Sequence, residues 1–413
     1  MRIGMIFHSL NVPGGSASVF LSLALALQEQ GHIVHVFCYY FDPEYCFPEL
    51  NKNLKIHYIK KIDSKSHRIN TNSIWIRLLL GYEYYFNARK VYRLLKQHKF
   101  DILYAAEASA YIPALIYKKK KSARVYWSVF DPISLVDNKR PGMITHKYRW
   151  FATLLKVHNL FDARNIRKID RVIVPTKKMK QQLDSFYGIK AAILPTAGVR
   201  VQDSKKKYTS LIESRLRDRF NFRKKDEVIL FSNGHLLPHR RYEDVLYALQ
   251  PLIDQGYRFK YIISGSNKFD PNYFVYLQAL IEKLHLNDYT ILDTDFKSND
   301  EILGYYQYCD LFLFVSVEQT WGLAPFEAML CKKPVIISKG VGCSEVLTDR
   351  KDVLIVDERS PKQITKSIGL LIKNKSLYKT ISENGYKRTL ADFTYQNIAG
   401  KLVDMMKESA GQV

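Results

Sequence analysis

Apolar and polar residues follow one another along the chain in the order strand, loop, helix, strand. Near the start, residues 2–7 (RIGMIF) form a short apolar run typical of a buried parallel strand. The segment SASVFLSLALALQEQG has apolar residues at helical spacing and ends at Gly31, and IVHVFCY is the next apolar run. This pattern predicts a βαβ unit in the first half of the chain.

The same order returns in the second half. EVILFSNG predicts a strand and a loop, EDVLYALQPLIDQG predicts a helix that ends at Gly256, and RFKYIISG predicts the next strand. Further strand patterns lie in both halves, and residues 377–407 are helical by pattern. We therefore expect an α/β protein made of two βαβ-built domains in tandem.

Length and composition agree with two domains. A chain of 413 residues with 47% hydrophobic residues has material for two cores, which excludes wholesale disorder. Residues 201–226 are highly charged and carry no strand pattern, so we place the domain junction within this segment or just before it.

The net charge of +23 is unevenly distributed. Residues 1–200 contain 32 Lys and Arg against 13 Asp and Glu, a balance of +19, whereas residues 201–413 have a balance of +4. The first half should therefore be attracted to polyanions: an anionic lipid surface, a nucleic acid or an acidic glycan.

The chain lacks several other chemical signatures. No apolar stretch approaches the roughly 20 residues of a membrane span, and the N-terminus does not read as a signal peptide, so we expect a cytoplasmic protein. Five cysteines without CxxC spacing indicate reduced thiols. The eleven histidines form no HExxH motif, and His32 and His35 lie in a strand pattern where packing is the expected role. We expect no metal and no cofactor.

Glycines precede the first predicted helix. Gly14 and Gly15 stand between the first strand and a helix that starts near Ser16, where backbone N–H groups and the helix dipole favour phosphate. The alternative is a tight turn without a ligand.

A second candidate follows the first strand of the second half. In GHLLPHRRYEDV, residues 234–245, cationic side chains crowd the carboxyl end of a strand, where open α/β sheets bind ligands. Arg240 and Arg241 suit a diphosphate, because a guanidinium can grip two oxygens at once. The alternative is a solvated loop whose arginines pair with Glu243 or Asp244.

The third candidate is DLFLFVSVEQTWGLAPFEAMLCKKPVIIS, residues 310–338. A helix starts at Pro325, a favoured first helical residue, and the amides of Leu323 and Ala324 before it are available to a phosphate. Glu327 lies in the first turn, where its carboxylate suits ribose hydroxyls. The alternative is that Glu327 only complements the helix dipole.

Together these pieces resemble glycosyltransferase family 4, the retaining GT-B glycosyltransferases. The resemblance rests on the GG loop and GHIVHV, on KIDRVIVPTKKMKQQL and LPTAGV, on GHLLPHRRYEDV, on EQTWGLAPFEAMLCKKPVI and on GVGCSEVL. It implies a GT-B fold of two Rossmann-like domains that face each other across a cleft. The implied division is an acceptor domain at 1–195, a donor domain at 196–390, and a terminal helix at 391–413 that returns to the first domain.

The family pattern transfers to individual positions. Gly15 matches the glycine whose amide faces the donor phosphate, and Arg240 stands where the family has the lysine of its phosphate clamp. Glu327 matches the second glutamate of the Glu-x7-Glu motif, which holds the nucleotide ribose. The amides of Leu323 and Ala324 match those that meet the diphosphate.

Three positions depart from the family pattern. Gln319 stands where the first glutamate of the motif belongs, and Glu318 is one place out of register. His235 replaces the usual arginine of the clamp. The histidine that is common near the sugar at the end of the DILYAAEA strand is missing, and Ala106 and Glu107 stand at that point. Nucleotide binding is therefore better supported than sugar activation.

The resemblance implies retaining transfer of a hexose from a UDP- or GDP-sugar to a glycan or lipid-linked acceptor at a membrane surface. YYFDPEYCF, residues 39–47, also resembles mannosyltransferases of lipid-linked oligosaccharide assembly. The catalytic residues are expected to be Arg240, Gln319 and Glu327. The expected donor-binding residues are Gly14, Gly15, Gly234, His235, Arg240, Glu318, Gln319, Gly322, Leu323, Ala324 and Glu327.

Two alternatives stay open. The first is a catalytically silent GT-B subunit that binds nucleotide or lipid and scaffolds a partner, which Gln319 and the missing histidine favour. The second is a nucleic-acid-binding protein, but no recognised binding module accompanies the basic half, so we expect no nucleic-acid partner.

The basic residues of the first domain predict a peripheral protein at the cytoplasmic membrane face. In residues 73–100, large apolar side chains alternate with cations, and an apolar face with a basic rim suits a membrane interface. The alternative is that the apolar side chains pack on the domain's own sheet. The expected docking residues are Arg77, Arg89, Lys90, Arg93, Lys96, Lys118, Lys119, Lys120 and Lys121.

Overall fold

The structure is a computed structural model with two compact units. One unit comprises Met1–Thr196 together with Tyr395–Val413, and the other comprises Ala197–Thr394. The residues that the structure describes are 1–63, 87–107, 110–130, 163–195, 198–201, 207–222, 226–295 and 297–408.

The first unit is built on a parallel sheet of seven strands in the order β3-β2-β1-β4-β5-β6-β7. Its central strands are buried on both faces, which explains their nearly continuous apolar sequences. The strands are β1 Arg2–Leu10, β2 Ile33–Phe41, β3 Lys55–Lys61, β4 Ile102–Ala106, β5 Arg124–Ser128, β6 Arg171–Val174 and β7 Ala192–Ile193.

Helices cover this sheet, and the last of them comes from the end of the chain. Gln30 donates through Nε2 to the carbonyl of Gln396 at 2.8 Å, and Arg124 donates through Nη1 to the carbonyl of Met406 at 3.2 Å. Residues 87–95 are also helical. The helices are α1 Gly15–Glu29, α2 Pro48–Asn51, α3 Tyr111–Lys118, α4 Lys177–Tyr187 and, at the chain end, α12 Tyr395–Glu408.

The second unit has a parallel sheet of six strands in the order β10-β9-β8-β11-β12-β13. The order starts at β8 and runs outward in both directions, so β8 and β11 flank a topological switch point. The strands are β8 Val228–Asn233, β9 Phe259–Ser264, β10 Thr290–Asp293, β11 Leu311–Phe314, β12 Val335–Ser338 and β13 Leu354–Val356.

The helices of the second unit begin at recognisable caps. Ser298 accepts from the amide of Glu301, and the Glu301 side chain accepts from the amide of Ser298, which forms a capping box. Asp270 accepts from the amide of Tyr273 before a helix with Pro271 in its first turn. The helices are α5 Thr209–Phe220, α6 Tyr242–Asp254, α7 Pro271–Lys283, α8 Asn299–Tyr308, α9 Ala324–Leu330, α10 Pro361–Lys373 and α11 Lys375–Asp392.

The prediction of an α/β protein with two parallel sheets is confirmed. One expected element differs, because residues 377–407 form two helices that are separated at Phe393 and Thr394. The Phe393 ring packs 4.5 Å from the Phe326 ring, and Thr394 pairs with Val199 in a short parallel bridge, so these contacts end α11. In the part of the chain that the structure describes, no helix has the length and apolar character needed to cross a bilayer.

Candidate functional site

The carboxyl ends of β8 and β11 carry the two most specific motifs of the second half. The loop after β8 contains Gly234 and Arg240, and the loop after β11 contains Gln319 and Gly322. The amide of Val317 donates to the carbonyl of His239 at 2.8 Å, so the two loops are joined directly. The switch point of an open parallel sheet is where such proteins bind ligands.

Gly234 allows the first loop to turn sharply. Its φ is +149°, and the place of a Cβ there would lie 3.2 Å from Nε of Arg240. On the neighbouring strand end, a Cβ at Gly265 would stand 1.8 Å from the carbonyl oxygen of Gly234. Both positions therefore exclude a side chain, which lets the backbones at the ends of β8 and β9 touch.

The two adjacent arginines have different surroundings. The Arg240 guanidinium lies over the Phe314 ring at 5.0 Å from its centroid, at the end of β11. Arg241 instead pairs with acidic groups of α6: it contacts Glu243 at 2.6 Å and Asp244 at 2.7 Å. The alternative interpretation, in which the arginines pair with acidic residues, therefore holds for Arg241, whereas Arg240 lies on the ring between the two loops.

His235 is exposed and neutral at neutral pH. Its ring lies 4.4 Å from that of Phe269, which follows β9 and is 65% exposed. Surrounding protein atoms and then the charge of Arg240 lower the pKa of His235 below its ordinary value. A neutral imidazole offers a hydrogen bond but no positive charge, so Arg240 is the stronger candidate for a phosphate contact.

The loop after β11 is fixed by its backbone. The amide of Gln319 donates to the carbonyl of Gly340 at 3.0 Å, and the carbonyl of Gln319 accepts from Gly342 at 2.8 Å. Glu318 has a φ of +52° and is exposed. This left-handed conformation turns the chain between the strand and Gln319.

Gly322 stands where no side chain fits. Its φ is +109°, and a Cβ would lie 2.9 Å from Val341 and 3.3 Å from the Phe314 ring. The Phe314 ring therefore contacts Arg240 on one loop and packs against Gly322 on the other. The structure brings these two predicted motifs to one place through this ring.

Glu327 lies in the first turn of α9, as expected from its sequence position. The first intrahelical bonds run from the amides of Phe326 and Glu327 to the carbonyl of Leu323, so the amides of Leu323 and Ala324 precede them. Since α9 has only seven residues, its dipole is short, and the roles of these two amides stay predictions.

Sequence reasoning missed the side chains that orient Glu327. Tyr306 of α8 donates its hydroxyl to Oε2 of Glu327 at 2.7 Å. Asn233, the last residue of β8, donates through Nδ2 to the same hydroxyl at 3.2 Å. Burial and then Glu327 raise the pKa of Tyr306, so the phenol keeps its proton. No local sequence signal links residues so distant along the chain.

A buried ionic group lies at the carboxyl end of β10, which is two strands away from β8 in the sheet. Arg215 donates to both oxygens of Asp293 at 2.8 Å, and Lys297 lies 3.0 Å from the same carboxylate. Burial alone would raise the pKa of Asp293. The hydrogen bonds from Arg215 and Tyr305 and the charge of Lys297 outweigh this effect and lower the pKa to about 2. The carboxylate is thus ionised at neutral pH and holds α5 to the sheet.

The glycine loop lies in the first unit, at the carboxyl end of β1. Gly14 is the residue before α1, with extended backbone and no side-chain cap, and both Gly14 and Gly15 are exposed. The amide of Ser18 is the first to bond back, to the carbonyl of Gly14 at 3.0 Å. At the end of β4, Glu107 has a φ of +70° and accepts from Trp127 through its carbonyl at 2.8 Å.

The expected docking residues divide into groups. Within helical residues 87–95, Ala88, Val91 and Leu95 are buried in the core of the first unit, whereas Arg89, Lys90 and Arg93 are exposed. For this part of the segment, the expected apolar membrane face is wrong, because the sheet covers it. Arg77 lies outside the described residues.

The lysine run that begins at the last residue of α3 makes contacts within the unit. Lys118 pairs with Asp170 at 2.6 Å, and Lys121 donates to the carbonyl of Lys96 at 2.7 Å. Lys120 lies 5.6 Å from the Tyr92 ring centroid. Lys96 and Lys119 are exposed. The described cations therefore form a basic face beside a covered apolar one.

The two parallel sheets, each with motifs at a switch point, define a protein of two doubly wound α/β units. Family models match both halves of the chain: "Glycosyltransferase Family 4" over residues 13–197 and "Glycosyl transferases group 1" over residues 213–388. The chain belongs to glycosyltransferase family 4 and has the GT-B fold.

Curated relatives match about half of the chain. The Staphylococcus aureus capsular polysaccharide biosynthesis glycosyltransferase CapM is 23% identical over 210 residues, which cover 49% of this chain and 53% of CapM. The alpha-monoglucosyldiacylglycerol synthase of Acholeplasma laidlawii is 25% identical over 214 residues, 51% of this chain and 52% of the synthase. The chain thus spans about half the length of these relatives.

A solved structure matches nearly the whole chain. Anabaena HepE, in complex with UDP and glucose, superposes with a TM-score of 0.72 over 99% of this chain and 100% of its own, at 17% identity. At this identity the likeness concerns the fold.

Proposed function

We propose that this protein is a retaining glycosyltransferase that takes a hexose from a UDP- or GDP-sugar. The observation that carries the proposal is the shared switch point of β8 and β11. There Arg240 lies on Phe314, and Glu327 is oriented by Tyr306. HepE, which shares the fold, was crystallised with UDP and glucose, and this supports a UDP-sugar as the first donor to test.

In this proposal the guanidinium of Arg240 provides the main electrostatic stabilisation of the leaving diphosphate. As the sugar leaves, negative charge develops on the diphosphate, and a fixed guanidinium stabilises it without reorganisation. The Phe314 ring holds the planar group in place. We further propose that transfer itself needs no metal, because this cation neutralises the leaving group.

Glu327 and Gln319 are assigned to the nucleotide and sugar. The oriented Glu327 carboxylate accepts hydrogen bonds from the ribose hydroxyls, and Gln319 hydrogen-bonds a sugar hydroxyl. The backbone of Gln319 is held by Gly340 and Gly342, which limits the positions of its side chain. Transfer with retention would place the acceptor on the face of the sugar that the diphosphate leaves.

The acceptor is proposed to be a glycan or a lipid-linked glycan at the cytoplasmic face of a membrane. The balance of +19 in residues 1–200 and the exposed Arg89, Lys90 and Arg93 support attraction to anionic lipid. The names of CapM and of the Acholeplasma synthase refer to a capsular polysaccharide and a glycolipid, which supports this class of acceptor. Because the described apolar face is covered, the attachment is electrostatic.

A calorimetric screen tests the donor. UDP-, GDP- and ADP-sugars are titrated into the purified protein, and the tightest donor is repeated with Arg240→Ala. We expect one nucleotide class to bind in an equimolar ratio and to bind more weakly to the variant. Absence of binding by all three classes, or a donor affinity unchanged in Arg240→Ala, contradicts the proposal.

A catalytically silent donor-binding subunit is the second candidate, favoured by Gln319 in place of a glutamate. The two candidates differ in turnover. An enzyme hydrolyses its donor slowly in the absence of acceptor, whereas a silent subunit binds the donor and leaves it intact. Restoring the carboxylate in Gln319→Glu shows whether the amide limits the reaction.

A further inference from the structure

Three histidines from distant parts of the sequence meet in the first unit. His35 lies near the amino end of β2, His57 lies near the amino end of β3, and His98 precedes β4. Gly14, by contrast, follows the carboxyl end of β1. The histidine cluster and the glycine loop therefore lie at opposite ends of the parallel strands. Neither the family resemblance nor the proposed transfer uses it.

The cluster has the dimensions of a metal site. One potential ligand atom from each imidazole lies within 4.8 Å of the other two. Nδ1 of His35 and Nε2 of His57 are 3.1 Å apart. Two nitrogens bound to a tetrahedral zinc ion stand about 3.3 Å apart, given Zn–N distances of about 2.0 Å. The His35 and His57 nitrogens are thus already close to this spacing, and a nitrogen of His98 lies within 4.8 Å of both.

The backbone positions these side chains on one face of the sheet. His35 is opposite Lys55 and Phe37 is opposite His57 in the parallel register, so both histidines point to the same side. The His57 ring stacks on Phe37 at 4.7 Å between centroids with an interplanar angle of 12°. An aromatic neighbour thus limits the orientation of the ring without using its nitrogens.

The third histidine, His98, lies shortly before β4 and is positioned by contacts of the neighbouring backbone. Tyr117 donates its hydroxyl to the carbonyl of His98 at 3.0 Å and accepts from the amide of Phe100 at 3.2 Å. The Phe100 ring occupies the space that a side chain at Gly4 would fill, since a Cβ there would lie 3.3 Å from it. These contacts fix the backbone that carries His98.

The three imidazoles offer nitrogen atoms of the type that binds zinc in proteins. All three residues are partly exposed, so an ion can enter and a water can complete its coordination.

We propose that His35, His57 and His98 form a binding site for a divalent transition-metal ion, with zinc as the expected occupant. Three imidazoles with an open fourth position suit zinc, and cobalt is its spectroscopic substitute. Such an ion would cross-link β2, β3 and the entry to β4, and its role would be structural. The competing explanation is a packed group of neutral histidines without a metal.

Metal titration decides between these explanations. The protein is prepared without a histidine tag and freed of metal by a chelator, and Co²⁺ or Zn²⁺ is then added. We expect one equivalent of Co²⁺ to give the intense visible bands of tetrahedral coordination, and Zn²⁺ to displace it and raise Tm. Absence of equimolar binding to the wild-type protein overturns the proposal.

Variants locate the bound ion. His57→Gln and His98→Gln should each bind Zn²⁺ at least about 10-fold more weakly, since loss of an outer partner alone costs that much in known sites. His285→Asn is the control: His285 is exposed in the second unit with a φ of +53°, which asparagine tolerates, and it should bind like wild type. Unchanged affinity in both cluster variants overturns the proposal.

Two measurements keep the result independent of folding and of sugar transfer. X-ray absorption of the zinc-loaded wild type counts imidazole ligands without any substitution, and fewer than three contradict the assignment. Donor binding by the cluster variants reports that the second unit is intact. Because this site is distinct from the donor site, loss of metal binding with normal donor binding, or the reverse, separates this proposal from the proposed function.

Discussion

The Tyr306 hydroxyl donates to Oε2 of Glu327 at 2.7 Å, and the two residues are 21 positions apart in the sequence. Asn233 donates to the same hydroxyl at 3.2 Å, so a line of hydrogen bonds joins the end of β8 to the first turn of α9. A carboxylate that only complements a helix dipole does not require orientation by a buried phenol. This relationship favours a ligand-binding role for Glu327.

Glu327→Gln should weaken donor binding by about 1–2 kcal/mol, because hydrogen bonds to a charged acceptor are stronger than those to a neutral one. Stability should change little, since the amide oxygen still accepts from Tyr306. Calorimetry and thermal unfolding measure the two quantities. Glu383→Gln, an exposed change on α11, is the control. Lower stability with unchanged donor affinity would favour the dipole role.

Arg240→Ala should mainly weaken donor binding, whereas Arg241→Ala should mainly lower stability. The first removes the guanidinium over Phe314 and should cost about 1.5–3 kcal/mol of donor binding. The second leaves Glu243 and Asp244 buried without their cation and should cost about 3–5 kcal/mol of stability. Donor titrations and thermal unfolding of both variants check this. If Arg241→Ala loses affinity while Arg240→Ala keeps it, the assignment of the phosphate contact is wrong.

Asp293 should stabilise the second unit above about pH 4. Its pKa is about 2 in the folded protein against 3.8 as the ordinary value, so the contribution is complete above the unfolded pKa and is lost as the pH falls through 2. This difference is worth about 2 kcal/mol. The stability gap between wild type and Asp293→Asn should therefore shrink in acid, as urea unfolding across pH would show.

The control for this measurement is Asp295→Asn. Asp295 contacts Arg215 at 3.5 Å but is 42% exposed, and exposed ion pairs contribute at most about 1 kcal/mol. Its stability gap should be small at every pH. A gap for Asp293→Asn that is constant from pH 7 to acid would show that its carboxylate is not the group that titrates.

Anionic liposomes should bind the protein through the exposed face of residues 87–95. Replacing Arg89, Lys90 and Arg93 with Gln should lower co-sedimentation affinity on the order of 100-fold at low salt, and high salt should weaken the wild type too. Lys118→Gln is the control, because Asp170 holds that ammonium. Equal binding to neutral and anionic lipid would contradict electrostatic docking and favour a soluble acceptor.

The fold and the motif positions could be predicted from local sequence. Apolar runs such as RIGMIF and DLFLFVSV mark strands because parallel strands are buried on both faces. Gly234 and Gly322 mark turns because their φ values and close neighbours exclude a side chain. The apolar runs and the glycines are visible in the sequence itself, so the strands and turns that they mark could be predicted from it.

The partners of side chains could not be predicted in this way. Arg240 and Arg241 are neighbours in sequence, yet one lies on an aromatic ring and the other pairs with acids, because Arg241 takes a left-handed backbone conformation. Tyr306 reaches Glu327 from another helix. The histidine cluster combines two strands and a loop, so no spacing rule reveals it. Local backbone conformation decides the first case, whereas packing between distant segments decides the other two.

The end of the chain has a practical consequence for dissecting the protein. Helix α12 completes the first unit: Ile398, Leu402 and Met406 are buried, and its Gln396 exchanges hydrogen bonds with the end of α1. A fragment that stops at residue 196 would expose the apolar side of α1 to water and should aggregate. Adding residues 395–408 as a separate peptide should rescue its solubility, which makes the helix a complementing tag for split-protein reassembly.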